Sequence, residues 1–248
     1  MKLILTVVIA AFTFGFVECE FPCGKKLNAC TEWIGETSIP WQAYTIRSYT
    51  TVKKSHEVTC NAIILNTNHV LSLQHCLYKY DSTDKISVHV GDGTKYSVKS
   101  VYVHDLDLDN VIPIKVAIAK IQGTMTFTKQ MYAVCLPIPL LKLQRNYLYG
   151  TIWGKEKVNK RKGIYINFNK TSPECKNPIL ERPPRDDEKC LYRMDGKLDS
   201  NDHGTPFLMN HNYRCTLVGI LSKGGESETP YMLDLVQIAT WIQKILNL

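Results

Sequence analysis

Met1-Lys2 leads into an apolar stretch from Leu3 to about Phe16, and Val17-Glu18-Cys19 offers a cleavage site before Glu20. A basic start followed by a short apolar run is the pattern of a secretory signal peptide, and the run is too short for a convincing membrane span. This has a covalent consequence for the fold. The chain has nine cysteines, and losing Cys19 with the signal leaves an even eight. In the oxidising compartment to which such a signal leads, cysteines become cross-links, so a disulfide-stapled extracellular fold is expected.

Between the cysteines the pattern is that of strands. Val88 to Val90, Val98 to Val103 and Thr216 to Leu221 are rich in β-branched and apolar residues and lie between Gly, Asn, Asp and Ser clusters, as strands do. Only near the end does the period change: Leu235, Ile238, Ala239, Ile242, Ile245 and Leu246 recur with helical spacing. A length of 248 residues with 44% hydrophobic composition suits one large all-β domain with a sizeable core. No period of about 20–50 residues is visible, which excludes a repeat array. No further segment is long and apolar enough to cross a bilayer.

Several segments keep a recognisable order. Ile39-Pro40-Trp41-Gln42 comes first, then Cys60-Asn61-Ala62-Ile63-Ile64-Leu65 and His69-Val70-Leu71-Ser72-Leu73-Gln74-His75-Cys76. Lys115-Val116-Ala117-Ile118-Ala119-Lys120-Ile121, Val134-Cys135-Leu136-Pro137 and Ile152-Trp153-Gly154 follow. Asn201-Asp202-His203-Gly204-Thr205-Pro206-Phe207, Leu217-Val218-Gly219-Ile220-Leu221-Ser222 and Trp241-Ile242 complete the series. Together they resemble the trypsin-like (peptidase S1) serine proteases from about Trp41 to the end. The resemblance implies an all-β double six-stranded β-barrel with a C-terminal α-helix. It divides the chain into a signal peptide at 1–19, a cysteine-containing leader at 20–38 and a trypsin-like domain at 39–248. It also implies disulfides Cys60–Cys76 and Cys175–Cys190, with Cys135 bonded to Cys23 or Cys30. By subtraction, Cys215 is left to the remaining leader cysteine.

The same resemblance puts His75 at the general base, Lys115 at the orienting aspartate and His203 at the nucleophilic serine. A serine protease needs a nucleophile, a base, an orienter and amide donors for the oxyanion. Lys115 would oppose the charge that develops on the base, His203 has no hydroxyl, and Asn201 and Thr205 stand where glycines are usual. Lys197 falls near the base of the specificity pocket, beside Ser222 and Gly224, and would repel the cationic side chains that an aspartate there attracts. The activation sequence is missing from the leader, although Asp202 is kept. The expectation is therefore a chain that is not an enzyme: a secreted protease homologue resembling inactive invertebrate ones, acting as a binding protein, cofactor, decoy or regulator in an extracellular proteolytic or immune pathway. Two other readings remain. One is an enzyme of altered chemistry using His203 or a metal held by His75 and His203; the other is a basic glycan-binding effector.

Lys155, Lys157, Lys160, Arg161 and Lys162 crowd one segment and the net charge is +7, so acidic protein surfaces or sulfated glycans are the favoured partners. The protein partner expected is a protease or a protease substrate, with no nucleic acid. Asn169-Lys170-Thr171 is a glycosylation sequon. No cofactor and no metal are expected, because a zinc site needs three or four convergent ligands and only two are placed.

Overall fold

The structure, a computed structural model, describes residues 23–24, 39–51, 54–78, 84–104, 116–128, 131–143, 148–151, 163–166, 188–190, 203–225 and 228–247. Six strands of the first half close on themselves: β1 (Gln42–Thr50), β2 (Ser55–Asn66), β3 (His69–Leu73), β4 (Lys85–Val90), β5 (Lys95–Val103) and β6 (Val116–Ile121). Their order is β1-β2-β3-β6-β5-β4, every pair antiparallel, and β1 closes the barrel against both β2 and β4. Closure leaves no open sheet edge. Ala43 faces Ala62 on one side and Val90 on the other, all three buried, so small and branched side chains meet at one level of the interior. Strand β5 alternates from Lys95 to Lys99: Lys95, Ser97 and Lys99 are exposed, while Tyr96 and Val98 pack against the core, and a register shift between Val98 and Ser100 changes the phase so that Val101 packs inward. The alternation is the period-two pattern of a strand with one wet face.

The second half forms a six-stranded antiparallel sheet from β7 (Leu148–Thr151), β8 (Gly163–Ile166), β9 (Glu188–Cys190), β10 (Pro206–His211), β11 (Arg214–Gly225) and β12 (Glu228–Asp234). The order is β8-β7-β10-β11-β12-β9. His211 pairs with Arg214 across Asn212 and Tyr213, both at positive φ, the geometry of a tight hairpin whose twist matches its strands. A mostly β chain of one closed barrel, a second sheet and a short C-terminal helix is the plan that the resemblance implied. Leu148 and Met209 share a small second core with Phe207, Val218, Leu221 and Met232.

Two disulfides are placed. Cys60 is bonded to Cys76, and Cys23, not Cys30, to Cys135. Cys215 is also disulfide-bonded. Cys175, Cys30, the signal segment and nearly all of the leader lie outside the described residues. Beside the Cys23–Cys135 bond, Gly24 donates its N–H to the Ala133 carbonyl and accepts from the Cys215 N–H, which fastens the start of the chain to the second sheet.

The helical spacing predicted from Leu235 onward is realised only in α2 (Ala239–Leu246). Leu235 donates its N–H to the Val218 carbonyl, and Ile238 and Ala239 then bond back three residues, to the Leu235 and Val236 carbonyls, so residues 235–238 are spent on tight turns and the first four-residue bond is from Ile242 to Ile238. Asn247, at φ 58° in the left-handed region, caps the other end. Among the described residues no helix is long and apolar enough to cross a membrane.

Candidate active site

Strand β3 is buried along its whole length, and its last residue leads straight into the one-turn helix α1 (Gln74–Leu77). Burial of Cys76 and Leu77 turns α1 against the barrel and leaves His75 half-buried at its rim. The facing segment is the turn before β10. There His203 and Gly204 precede Thr205, whose carbonyl accepts from the Leu221 N–H at 2.8 Å, while the Gly204 N–H donates to the Leu221 carbonyl at 3.0 Å. Gly204 is at φ 81°, a left-handed conformation that glycine adopts without steric cost. A side chain there would also meet the Asn61 carbonyl oxygen.

This places the rings of His75 and His203 edge to face, with centroids 5.6 Å apart. Burial, then the proximity of His203 and of the Arg47 guanidinium, pulls the His75 pKa down to about 4. His75 is therefore neutral at physiological pH, the state required of a base. Its Nε2 lies 3.8 Å from Cys60 Sγ. Cys60, His75 and Cys76 bring their ligand atoms within 4.8 Å of one another, but the two sulfurs are bonded to each other and offer no thiolates. His69 and His211 stand apart from the pair. His69 opens β3 at the end away from α1 and contacts Asn66 Oδ1 through Nδ1 at 3.0 Å; His211 closes β10 beside the Asn212 amide.

Asn61 joins the two segments, and sequence reading missed it. From β2 its main-chain N–H donates to the His203 carbonyl at 3.1 Å, and its side-chain Nδ2 donates to Thr205 Oγ1 at 3.2 Å. Its own carbonyl accepts from Ser72 Oγ at 2.6 Å. Thr205 is fully buried, so its hydroxyl belongs to this junction, a structural use that its reading as a misplaced glycine did not foresee. Arg47 was missed too. It is buried at the barrel end, donates from Nη1 to the Tyr78 carbonyl at 3.1 Å and lies over the Tyr49 ring. The available signal was polarity out of place: Asn61 interrupts an apolar buried run directly after Cys60.

Ser222 is buried and donates to the Tyr231 carbonyl at 3.0 Å, so its hydroxyl is engaged within the sheet. Gly224 lies on β11. Lys115, Lys197, Asp202, Asn169, Lys155, Lys157, Lys160, Arg161 and Lys162 lie outside the described residues.

A model of the trypsin family matches residues 34–243. The chain belongs to the trypsin family. Coagulation factor XI of Bos taurus is 24% identical over 262 aligned positions, covering 94% of this chain. The chain spans 40% of that relative's length. The expectation of a chain that is not an enzyme is corrected here, because membership in a protease family and homology to a protease point to a protease. In the fold, a neutral imidazole faces a second imidazole, and imidazole is itself both nucleophile and base. A trypsin-like domain with disulfides fits an extracellular setting.

The low pKa of His75 has a measurable consequence. Folded His75 holds its proton less tightly than its unfolded value of 6.5, so the unfolded chain binds more protons between about pH 6.5 and 4. The stabilisation is complete above 6.5 and is lost as pH falls through 4. For a half-buried ring it amounts to roughly 2 kcal/mol, after discounting the full shift for solvent. Urea unfolding of the wild type is expected to weaken across this interval, and His75→Gln to flatten that part of the profile. Parallel profiles for the two proteins would refute the assignment.

Proposed function

We propose that the chain is a secreted trypsin-family protein that engages a protein partner of an extracellular proteolytic pathway, with acyl transfer at the His75 and His203 pair as its chemistry. The observation that carries this reading is a neutral His75 facing His203 at 5.6 Å, on a turn pinned to the first barrel through Asn61. In the step proposed, a ring nitrogen of His203 attacks the acyl carbon, the bond to the leaving oxygen breaks, and that oxygen departs with the electron pair. The acylimidazole is then hydrolysed by a water that gives its proton to neutral His75, which returns the proton to solvent. An ester of an extended peptide, whose backbone can pair with a strand and whose alcohol oxygen is the leaving atom, suits the role of acyl donor.

The test is turnover of an activated p-nitrophenyl ester by the purified protein. Multiple turnover is expected, with a loss of at least about tenfold in kcat/KM, or about 1.4 kcal/mol of transition-state stabilisation, in His203→Ala and in His75→Ala separately. Turnover that is unchanged in His203→Ala would reject the His203 step, and turnover no faster than free imidazole at equal concentration would reject the site.

A further inference from the structure

Asn61 carries an atom whose purpose the fold alone does not explain. Both of its amide donors are used: the main-chain N–H goes to the His203 carbonyl, and Nδ2 goes to Thr205 Oγ1 while lying 3.5 Å from the His203 carbonyl. The main-chain carbonyl accepts from Ser72. Its Oδ1, in a side chain 3% exposed, has no hydrogen-bond partner. A buried acceptor left empty costs about 1–3 kcal/mol, and such groups are uncommon enough to point to a use. Turning the amide over would not remove the problem, because it would set an acceptor against the His203 carbonyl and free a buried donor.

We propose that Asn61 is the positioning residue of the site, its Oδ1 receiving a ring N–H of His203 so that the other ring nitrogen is left unprotonated and aimed at the acyl carbon. Acylation of one imidazole nitrogen makes the opposite N–H more acidic and more positive, and an acceptor held in place beforehand stabilises that charge without reorganisation. The two residues are neighbours, since the same side-chain amide contacts the main chain of His203 and the hydroxyl two residues on. In the trypsin-family arrangement this gives the nucleophile its own orienter, one that depends on neither His75 nor Lys115. The idea rests on the acyl-transfer reading for its consequence in rate but not for its geometry.

The experiment therefore has two readouts on the full-length secreted protein. Ring-nitrogen NMR of histidine-labelled protein is expected to show a single His203 tautomer with one slowly exchanging N–H. Asn61→Ala should make that proton exchange at least tenfold faster, while Asn61→Asp, which keeps an acceptor, should retain it. Thr205→Val removes the other partner of Nδ2 but leaves Oδ1 in place, and should also retain it. In ester turnover, Asn61→Ala should lower kcat tenfold or more with KM changed less than twofold. Two tautomers in fast exchange in the wild type would overturn the proposal whatever the variants do, as would loss of the N–H in Thr205→Val equal to that in Asn61→Ala. A single tautomer in a protein without ester turnover would uphold the role of Asn61 while removing the acyl-transfer reading.

Discussion

Replacing Cys23 and Cys135 together by serine is expected to destabilise the protein by about 4–5 kcal/mol, the larger of the effects expected for the two disulfides placed among the described residues. The reason lies in the unfolded chain. This bond closes a loop of 112 residues and Cys60–Cys76 one of 16, and the entropy removed from the unfolded ensemble grows with the logarithm of loop length. The shorter bond is then worth about 3 kcal/mol, leaving a difference between the two double variants of about 1–2 kcal/mol. Native contacts act in the same direction, because the long bond also holds Gly24 between the Ala133 carbonyl and the Cys215 amide. For a chain of this size the melting temperature should drop by about 10–20 °C in Cys23→Ser/Cys135→Ser. Thermal melts of both double variants decide the matter: equal losses would show that local native packing, not loop length, sets the contribution of each bond.

The barrel was legible in the sequence for a simple physical reason. Its strands are fully buried runs such as His69 to Leu73, or alternations such as Lys95 to Lys99, and both leave a one-dimensional trace. The pair His75 and His203 was legible because each sits in a segment fixed by neighbours with strong local demands: a cysteine after His75, and a left-handed glycine after His203. Asn61 and Arg47 were not legible. Their roles depend on what a strand faces across the barrel or across the junction of the two sheets, and no spacing rule records a contact between residues 61 and 203. Thr205 shows the same limit from the other side. Judged by its neighbours it stood in a glycine's place; judged by its partner, Asn61 Nδ2, it is a buried hydroxyl with a donor. The start of α2 falls later than its spacing suggests because residues 235–238 close three-residue turns, Ile238 to Leu235 and Ala239 to Val236, which hydrophobic spacing does not record. The expectation of a chain that is not an enzyme was overturned by membership in the trypsin family, which a comparison of single residue types at three positions does not register.

Gly204→Ala is the substitution expected to damage site and stability together. Two separate costs meet at this residue. The first is conformational: φ is 81°, and a side chain in the left-handed region costs about 1–2 kcal/mol. The second is steric, because an added Cβ would lie 2.5 Å from the Asn61 carbonyl oxygen and 3.2 Å from Ser72 Oγ. The nearest of these is main chain in the middle of β2, which cannot swing aside as a flexible side chain could. Gly93 separates the two costs, since it has φ 85° and open space of at least 4 Å around the place an added methyl group would take. Gly93→Ala should therefore lose only the conformational part, about 1–2 kcal/mol, and Gly204→Ala at least about 3 kcal/mol. The steric part has a further effect that stability alone does not report. Relief of the clash must push the His203 turn away from Asn61, lengthening the contact from the Asn61 N–H to the His203 carbonyl and drawing the two imidazoles apart. Ester turnover should accordingly fall at least tenfold in Gly204→Ala and stay within twofold of wild type in Gly93→Ala, measured at a temperature where both variants are folded. Equal destabilisation of the two variants, or a fully active Gly204→Ala, would mean that the junction between β2 and the His203 turn yields to a methyl group and does not fix the site.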